Sequence, residues 1–553
     1  MEYMIEITNY DIKLMLQESR HFMLKIEVLK DDGKTILHTI KGSIVGGNAS
    51  IDSSSFVRRT FNVTIIPTLY DRDDTKIGHD RLVWLNKEIR VYVGIMDIRT
   101  KEYKFYRQGH FVYSNVSSTY DATTNQLSIS CSDCMEKLNG TKNGQVGALK
   151  TIIPAYVEDP ITGVPIKHNI IRDAVISVIE DLTDIENYFV DDIGEFYAMP
   201  VNNKDWESYR MNNPMWNTVP YDIEITSNTN VSSILEKLIT LYPNYEMYFD
   251  ENNLFICKMI PSCYEDKVIL HDDFIKKIYI SENKTLDLNS VRNVCEVWGQ
   301  AIEADFYTES CRYENNRYIC EVIGYDDKYY NGDIVAIKID VSNAESPMIN
   351  INNFGDIRIL DHNTNNGIKS GEMKSNNVYV FKIRSSSDGT NTITDCILLG
   401  QWQAHGMNVL TDGTAYDDFT FNDGIVMKKY SKEYFQKKYN CESVEFDIVP
   451  DSPFTVQKLG EILDVKSGGE YENITSDSLA LARAKWENWK NARLTDSITL
   501  NVTYAPFFDV NMKISYINSD SDVEEQYIIK SVSHDFSSFT TSLSLMRFYP
   551  LYE

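Results

Sequence analysis

Few residues in this chain could do chemistry, and most sit in a context that favours a plainer role. Gly33-Lys34-Thr35 has the ending of a phosphate-binding loop, whose backbone amides and lysine would cradle a nucleotide. That loop needs a glycine five residues before Gly33, where Val28 stands. Leu24, Ile26 and Val28 alternate before Asp32-Gly33, and Ile36, His38 and Ile40 alternate after it, so Phe22 to Ile40 reads as a hairpin. Cys131-Ser-Asp-Cys134 has the spacing of a redox pair or half a zinc site. It lacks a second such pair, a histidine at finger spacing and a strand-helix-strand setting. Cys131 shares inward parity with Leu127 and Ile129, which makes it a core thiol.

Asp71, Asp73, Asp74, Asp191 and Asp192 could attract a cation, but glycine and a distal glutamate fall in the wrong places for a calcium loop, so they read as solvated loop. The histidines (His21, His38, His79, His110, His168, His271, His362, His405 and His534) are scattered singly. No HExxH, GxSxG or GxGxxG pattern occurs. With 81 acidic residues, a glycosidase-like pair of carboxylates is always conceivable and carries no weight. The sequence therefore assigns no catalytic residue, no cofactor, no metal ligand and no enzymatic activity. Arg58 and Arg59 stand out in so acidic a chain. They read either as interface anchors that fork carboxylates at subunit contacts or as a solvated strand edge.

The balance of 54 basic against 81 acidic residues gives a net charge of -27, which argues against gripping nucleic acid, since that needs cations to neutralise phosphate. At 553 residues the chain has length for about three to four domains. It has no apolar run long enough to span a membrane and no signal-peptide pattern, so a soluble protein made in a cytoplasm is expected. Nine cysteines without a repeating framework read as reduced thiols.

Strands at short, regular spacing fill the first 135 residues: Ile44 to Ile66, Ile89 to Ile95, Tyr103 to Val112 and Gln126 to Cys131 follow the hairpin. Seven or so such strands suggest a barrel or sandwich. Helices are predicted over Asn169–Leu182, with Ile171, Ala174 or Val175, Val178 and Leu182 on one stripe, and over Val231–Leu241, capped by Asn230. An irregular loop, Asn202 to Tyr221, separates them, and a hairpin over Tyr245–Phe249 and Leu254–Met259 follows. Strands are expected at Lys277–Ile280, Val294–Trp298, Met348–Asn352, Val378–Phe381 and Cys396–Leu399. The aromatics Trp402, Tyr416, Phe419 and Phe421 read as core or, if exposed, as a sugar-binding face.

The stretch from Ser452 to Tyr552 is expected to be the closing unit. Its helix, near Ser476 to Leu494 with Ser476 or Asp477 as cap, places Leu479, Ala482, Trp486 and Trp489 on one face. Strands follow at Ser497–Tyr504, Lys513–Ile517, Gln526–Val532 and Thr540–Met546. They need a pairing partner earlier in the chain.

Several segments resemble bacteriophage tail baseplate hub proteins. At the end these are Gly468-Gly-Glu-Tyr-Glu-Asn-Ile474, Leu479-Ala-Leu-Ala-Arg-Ala484, Tyr527-Ile-Ile-Lys-Ser-Val-Ser-His-Asp535 and Thr540 to Pro550. Ile51-Asp-Ser-Ser-Ser-Phe-Val-Arg-Arg-Thr60, Gly109-His-Phe-Val112 and the strand exit from Leu127 to Asp133 are similar to the family's first domain. Val231–Met259 and Val291-Arg-Asn-Val-Cys-Glu-Val-Trp-Gly299 are similar to its middle. The resemblance implies a mainly β fold with α+β insertions and two tube-type antiparallel β-barrels, the second interrupted by a long insertion. Residues 1–140 would be the first barrel, 141–265 an α+β insertion, 266–300 with 495–553 the second barrel, and 301–494 a β-rich insertion ending in a helix.

On that reading Lys277–Ile280 and Val294–Trp298 partner the closing strands, and Trp486 and Trp489 mark the seam between insertion and barrel. The function implied is a structural baseplate hub: a homotrimer in the virion tail, made in the host bacterial cytoplasm. It would join tail tube or distal tail protein to central spike and touch other baseplate proteins. DNA would pass an acidic channel without binding. Some relatives carry a peptidase or lysozyme-like module after the hub; here the last strand is expected to be final, which argues against wall degradation. A receptor- or carbohydrate-binding tail adhesin and a tail-associated cell-wall hydrolase are the alternatives.

Overall fold

The computed structural model describes residues 7–67, 76–79, 81–85, 87–120, 125–147, 151–158, 165–191, 218–219, 222–225, 229–240, 245–261, 270–362, 365–375, 377–387, 392–474 and 477–547. Asp71, Asp73, Asp74, Asp192, Ser476, most of the Asn202–Tyr221 loop and the final residues expected in the closing unit lie outside these. The fold is mainly β, with barrel-like sheets.

Six strands form the first barrel: β1 (Phe22–Leu29), β2 (Ile36–Asp52), β3 (Arg59–Pro67), β4 (Glu88–Met96), β5 (Tyr103–Tyr120) and β6 (Asn125–Ser132). They pair in the order β1-β4-β5-β6-β3-β2, and β2 returns to β1, so the circuit is complete. The expected hairpin is there, with Ile26 opposite Ile40 and Gly33 at a φ of 62° in the turn. Period-two alternation places Leu24, Ile26, Val28, Phe61, Val63, Ile65, Val91, Leu127, Ile129 and Cys131 inside one core. Each such aliphatic side chain contributes about 1.5–3 kcal/mol by leaving water. The strands are fewer and longer than the spacing suggested. β2 absorbs a bulge between Ile44 and Gly46 and runs on.

A short helix, Asn9–Met15, precedes the barrel and was not anticipated. Its cap is a reciprocal pair: Thr8 accepts from the Asp11 amide, and the Asp11 carboxylate accepts from the Thr8 amide. Leu14 and Met15 pack into the core of the closing sheet, not of the first barrel.

The α+β unit follows its prediction. Helices Ile171–Leu182 and Val231–Thr240 bury Ile171, Ala174, Val175 and Val178 against Ile234, Leu235 and Leu238. Asn230 accepts from the Ser233 amide at 2.9 Å. The hairpin pairs Tyr245 with Met259 and Phe249 with Phe255.

Two expectations about the second barrel need correction. Lys277 does not belong to a strand: Asp272–Ile278 is a helix, and the strand begins at Tyr279. Asp272 and Asp273 occupy the first turn and Lys276 and Lys277 the last, so charges complement the helix dipole and pair at i,i+4. Val294–Ala301 does not join the closing strands either. It pairs antiparallel with Gln403–Thr411 and parallel with Leu463–Lys466. Val444–Ile448 completes that four-stranded sheet. The boundary expected at residue 300 therefore falls inside a strand.

The closing strands form as expected at Thr495–Thr503, Lys513–Tyr516, Glu525–Asp535 and Thr540–Met546. Tyr279–Asp287 pairs with Thr495–Thr503, with Glu282 opposite Leu500. The end of β2, Asn48–Asp52, pairs with Ser531–Asp535, which makes this sheet continuous with the first barrel. Ile498, Leu500, Val502, Leu543 and Leu545 fill its core with Phe274, Ile275 and Ile278 of the short helix.

Between these lies a curled eight-stranded sheet over residues 306–401, with the expected strands at Met348–Ile351, Val378–Ser387 and Thr392–Gln401. The helix Asp477–Asn491 covers the four-stranded sheet, and its buried residues are Asp477, Ala480, Ala484, Glu487, Asn488 and Trp489. Glycine is required at 406 because a Cβ there would lie 2.3 Å from the Leu481 amide nitrogen. Of the expected stripe, Trp489 is buried, Trp486 and Leu479 are half-buried and Ala482 faces solvent.

Candidate functional site

Arg58 and Arg59 form the densest charged constellation in the interior, and neither lies on a solvated edge. They sit where the Asp52–Arg58 turn feeds β3, and the alternation of β3 sends the two side chains in different directions. The Arg58 side chain is 1% exposed and donates to Glu246 at 2.5 Å. Its guanidinium carbon lies 3.7 Å from the ring centroid of Tyr248. Asn511 donates to the other oxygen of Glu246. Arg59 donates to Asp509 at 2.6 Å and to the Gln108 carbonyl at 3.3 Å. Its own amide donates to Asp133 at 2.7 Å, and Gln108 reaches the Pro506 carbonyl at 2.9 Å.

The cluster joins three segments: the first barrel, the hairpin of the α+β unit, and the Pro506–Asn511 turn of the closing sheet. Burial works against the charge of Arg59, yet the Asp509 carboxylate outweighs it and holds the guanidinium above its ordinary value. Burial pushes Asp133 up to about 6, against the opposing pull of the Arg59 and Met135 amides. The carboxylates that these arginines hold belong to this chain, so the solvated-edge reading fails and the expected subunit contact is replaced by bridges within the chain. Removing Arg58 would leave the buried Glu246 carboxylate without its cation, which costs about 3–5 kcal/mol.

A second cluster has metal-like chemistry. Single ligand atoms of Glu88, His110 and Cys134 all lie within 4.8 Å of one another. His110 contacts Glu88 at 2.5 Å, and the Lys137 ammonium rests on the other carboxylate oxygen. Burial raises Glu88, but the bonds from His110 and Lys137 prevail and hold it at about 2. Burial also pushes the Cys134 thiol up, so it resists becoming a thiolate ligand. Lys137 supplies the positive charge that a metal ion would bring. Cys131 and Cys134 are both buried, as core thiols should be, and Cys131 donates to the Phe61 carbonyl at 3.3 Å.

The remaining candidates separate. His405 bonds Glu296 at 2.8 Å and stacks on Trp298 at 3.6 Å, while His534 is enclosed beneath Tyr504 and Phe536. Trp402, Tyr416 and Phe419 are exposed, contrary to the core reading, and Phe421 is half-buried. They fall into two groups: Trp402 stands against Tyr307, whereas Phe419 and Phe421 pack around Tyr434. Trp486 and Trp489 pack with Ile528 and Met546 of the closing sheet, the seam expected of them. The arginine partners were beyond sequence reasoning. Only the coincidence of two arginines in an acidic chain pointed to them.

A family model described as a domain of unknown function, DUF5048, matches residues 451–552, the stretch read as the closing unit. No curated protein matches the chain. Among solved structures it is similar to the 43 kDa tail protein of prophage MuSo2 from Shewanella oneidensis, at 9% identity and a TM-score of 0.40 over 95% of this chain and 98% of that one. It is similar to a tail protein from Neisseria meningitidis MC58, at 8% identity and a TM-score of 0.41 over 95% and 97%. Prophage tail protein gp18 from Listeria monocytogenes EGD-e gives 8% identity and 0.38 over 95% and 94%. The structural neighbours of this chain include phage tail and baseplate proteins and Francisella PdpA–VgrG complexes.

Proposed function

We propose that this chain is a structural protein of a phage tail, the baseplate hub that joins tail tube to central spike. Three copies, each carrying two barrel-like units, would make a six-part ring in the virion baseplate. The observation that carries the reading is the union of those units. β2 belongs to the first barrel along most of its length and pairs through Asn48–Asp52 with the closing sheet, and the Arg59–Asp509 bridge spans the same junction. Two barrel-like units joined side by side through one shared strand are what a ring built from half as many subunits as parts requires.

The strand Tyr279–Asp287 supports a subunit contact. It ends the sheet order and leaves Tyr279, Ile280 and Leu286 exposed on a strand edge that would otherwise invite aggregation. A net charge of -27 suits a channel past which DNA moves without sticking. The tail tube or distal tail protein, the spike and other baseplate proteins are the expected partners. Mass photometry and negative-stain electron microscopy of the purified chain test this. Trimers or six-part rings are expected; a monomer both in solution and in the particle, or a basic lumen, would overturn it.

The exposure of Trp402, Tyr416 and Phe419 favours a second role, carbohydrate contact by the insertion. Binding of the full chain to a glycan array, lost on Phe419→Ala, checks it.

A further inference from the structure

Cys311 and Cys320 face each other across a hairpin, Cys311–Glu314 with Arg317–Cys320. Asn315 and Asn316 make its turn, both left-handed, at φ of 52° and 61°. A two-residue turn of that kind is flanked by a hydrogen-bonded pair, here Glu314 and Arg317. Counting back along an antiparallel ladder, Cys311 and Cys320 occupy a non-hydrogen-bonded position, where facing side chains come closest. The Glu321 amide donating to the Ser310 carbonyl at 2.9 Å fits the same phase. The two sulfurs lie 2.9 Å apart. Cys311 is half-exposed and Cys320 buried, whereas the six other described cysteines are all buried.

The position in the sheet gives this pair a consequence. The eight strands run from Phe306–Thr308 at one edge to Cys311–Glu314 at the other, so the two edge strands are consecutive in the chain. The curled sheet thus has a seam at residues 308–311, where Thr308 donates to the Glu321 carbonyl at 2.5 Å. Tyr318, Cys320 and Ile351 pack inside.

We propose that Cys311 and Cys320 form a disulfide that staples the edge strand Cys311–Glu314 to Arg317–Cys320 beside this seam when the protein leaves a reducing cytoplasm for an oxidising medium. The oxidant is a small-molecule disulfide of the glutathione class. The accessible Cys311, as its thiolate, attacks one sulfur of the oxidant and expels one thiolate. Cys320 then attacks Cys311 in the mixed disulfide and expels the second. One sulfur–sulfur bond breaks and one forms. The two cysteines lose two electrons to the oxidant, and their two protons end on the two small thiols released.

The test treats the full chain with oxidised glutathione without air, quenches it with acid, alkylates in denaturant and digests with trypsin, which cuts at Arg312 and Arg317 between the two cysteines. The expected product is one cross-linked peptide pair holding Cys311 and Cys320, with the other cysteines alkylated. Cys320→Ser should trap the glutathione adduct on Cys311. Cys311→Ser, a change at a half-exposed site, should leave Cys320 alkylated and no cross-link. Amide exchange in Cys311–Glu314 and Arg317–Cys320 should slow several-fold on oxidation. Both cysteines remaining alkylated, or a stable glutathione adduct on the unaltered chain, would overturn the pairing. A cross-link without slower exchange would overturn the stapling of the edge strand.

Discussion

The six strands between Phe22 and Ser132 pair in a complete circuit, whereas the sheet that ends the described chain does not close on itself. Its strands come from residues 279–287 and 495–546, and its core is completed by the helices Asn9–Met15 and Asp272–Ile278 and by Ile51, Ile95 and Tyr106 of the first barrel. A circuit built from one continuous segment needs only local turns and alternation. A sheet assembled from distant segments must be held from outside, by β2 and the buried arginines. Stability is autonomous in the first sheet and borrowed in the second.

Removing residues 511–553 should have the largest effect. It deletes three closing strands and the register of Asn48–Asp52 with Ser531–Asp535. Amides of Tyr279–Asp287 should then lose their protection in hydrogen exchange, while Val294–Ala301, held by Gln403–Thr411 and Leu463–Lys466, keeps its own. The circuit β1–β6 should keep most of its protection. Loss of protection at Val294–Ala301 together with Tyr279–Asp287 would show that the two sheets are one cooperative unit.

Arg58→Ala should come next, at about 3–5 kcal/mol, because Glu246 is left charged and enclosed. The double change Arg58→Met with Glu246→Leu should recover most of that loss, since apolar residues of similar volume replace a buried pair at little cost. Urea denaturation read at the closing sheet by exchange distinguishes the two outcomes. Gly406→Ala probes a region apart from the barrels. Its Cβ meets the backbone of the covering helix, so about 1–3 kcal/mol should be lost there and little at β1–β6, seen as exchange in Asp477–Asn491.

How much of this was legible follows from the same contrast. Ile26, Val63, Ile129, Ile498 and Leu543 declare their strands by period two, and Asn230 declares a helix cap, because the information is local. Arg58 and Arg59 could not declare their partners, which lie 188 and 450 residues away. Lys277-Ile-Tyr-Ile280 looks like a strand to an alternation rule, yet Asp272 and Asp273 four residues before Lys276 and Lys277 turn its first half into helix. The helix over Asp477–Asn491 was recognised, but its large residues drew attention from the true interface. Ala480 and Ala484 are buried because Gly406 brings a strand against their backbone, a fact stored in a distant glycine. Trp489 instead packs with Ile528.

The smallest expected effect lies at the junction itself. His534 pairs opposite Ala49 of β2, donates or accepts through Nδ1 at 2.8 Å from Thr541, and is fully enclosed. Burial pushes its pKa down to about 3 from an ordinary 6.5. Between those values the unfolded chain binds a proton that the folded chain refuses, so stability is present above 6.5 and is lost as pH falls towards 3. The slope cannot exceed about 1.4 kcal/mol per pH unit for one group. Asp11 of the N-terminal helix and Glu88 of the first barrel, both held at about 2, give up their stabilisation only as pH falls from the ordinary carboxylate values towards 2. His110 is also lowered, by burial, with Glu88 opposing, so acid weakens the first barrel in the same sense. The variant His534→Gln isolates the junction: its denaturation midpoint should fall less between pH 6.5 and 5.5 than that of the unaltered chain, by about 1 kcal/mol or less. Identical pH profiles would place the acid sensitivity elsewhere and show that the continuity of β2 with Ser531–Asp535 does not depend on a neutral imidazole.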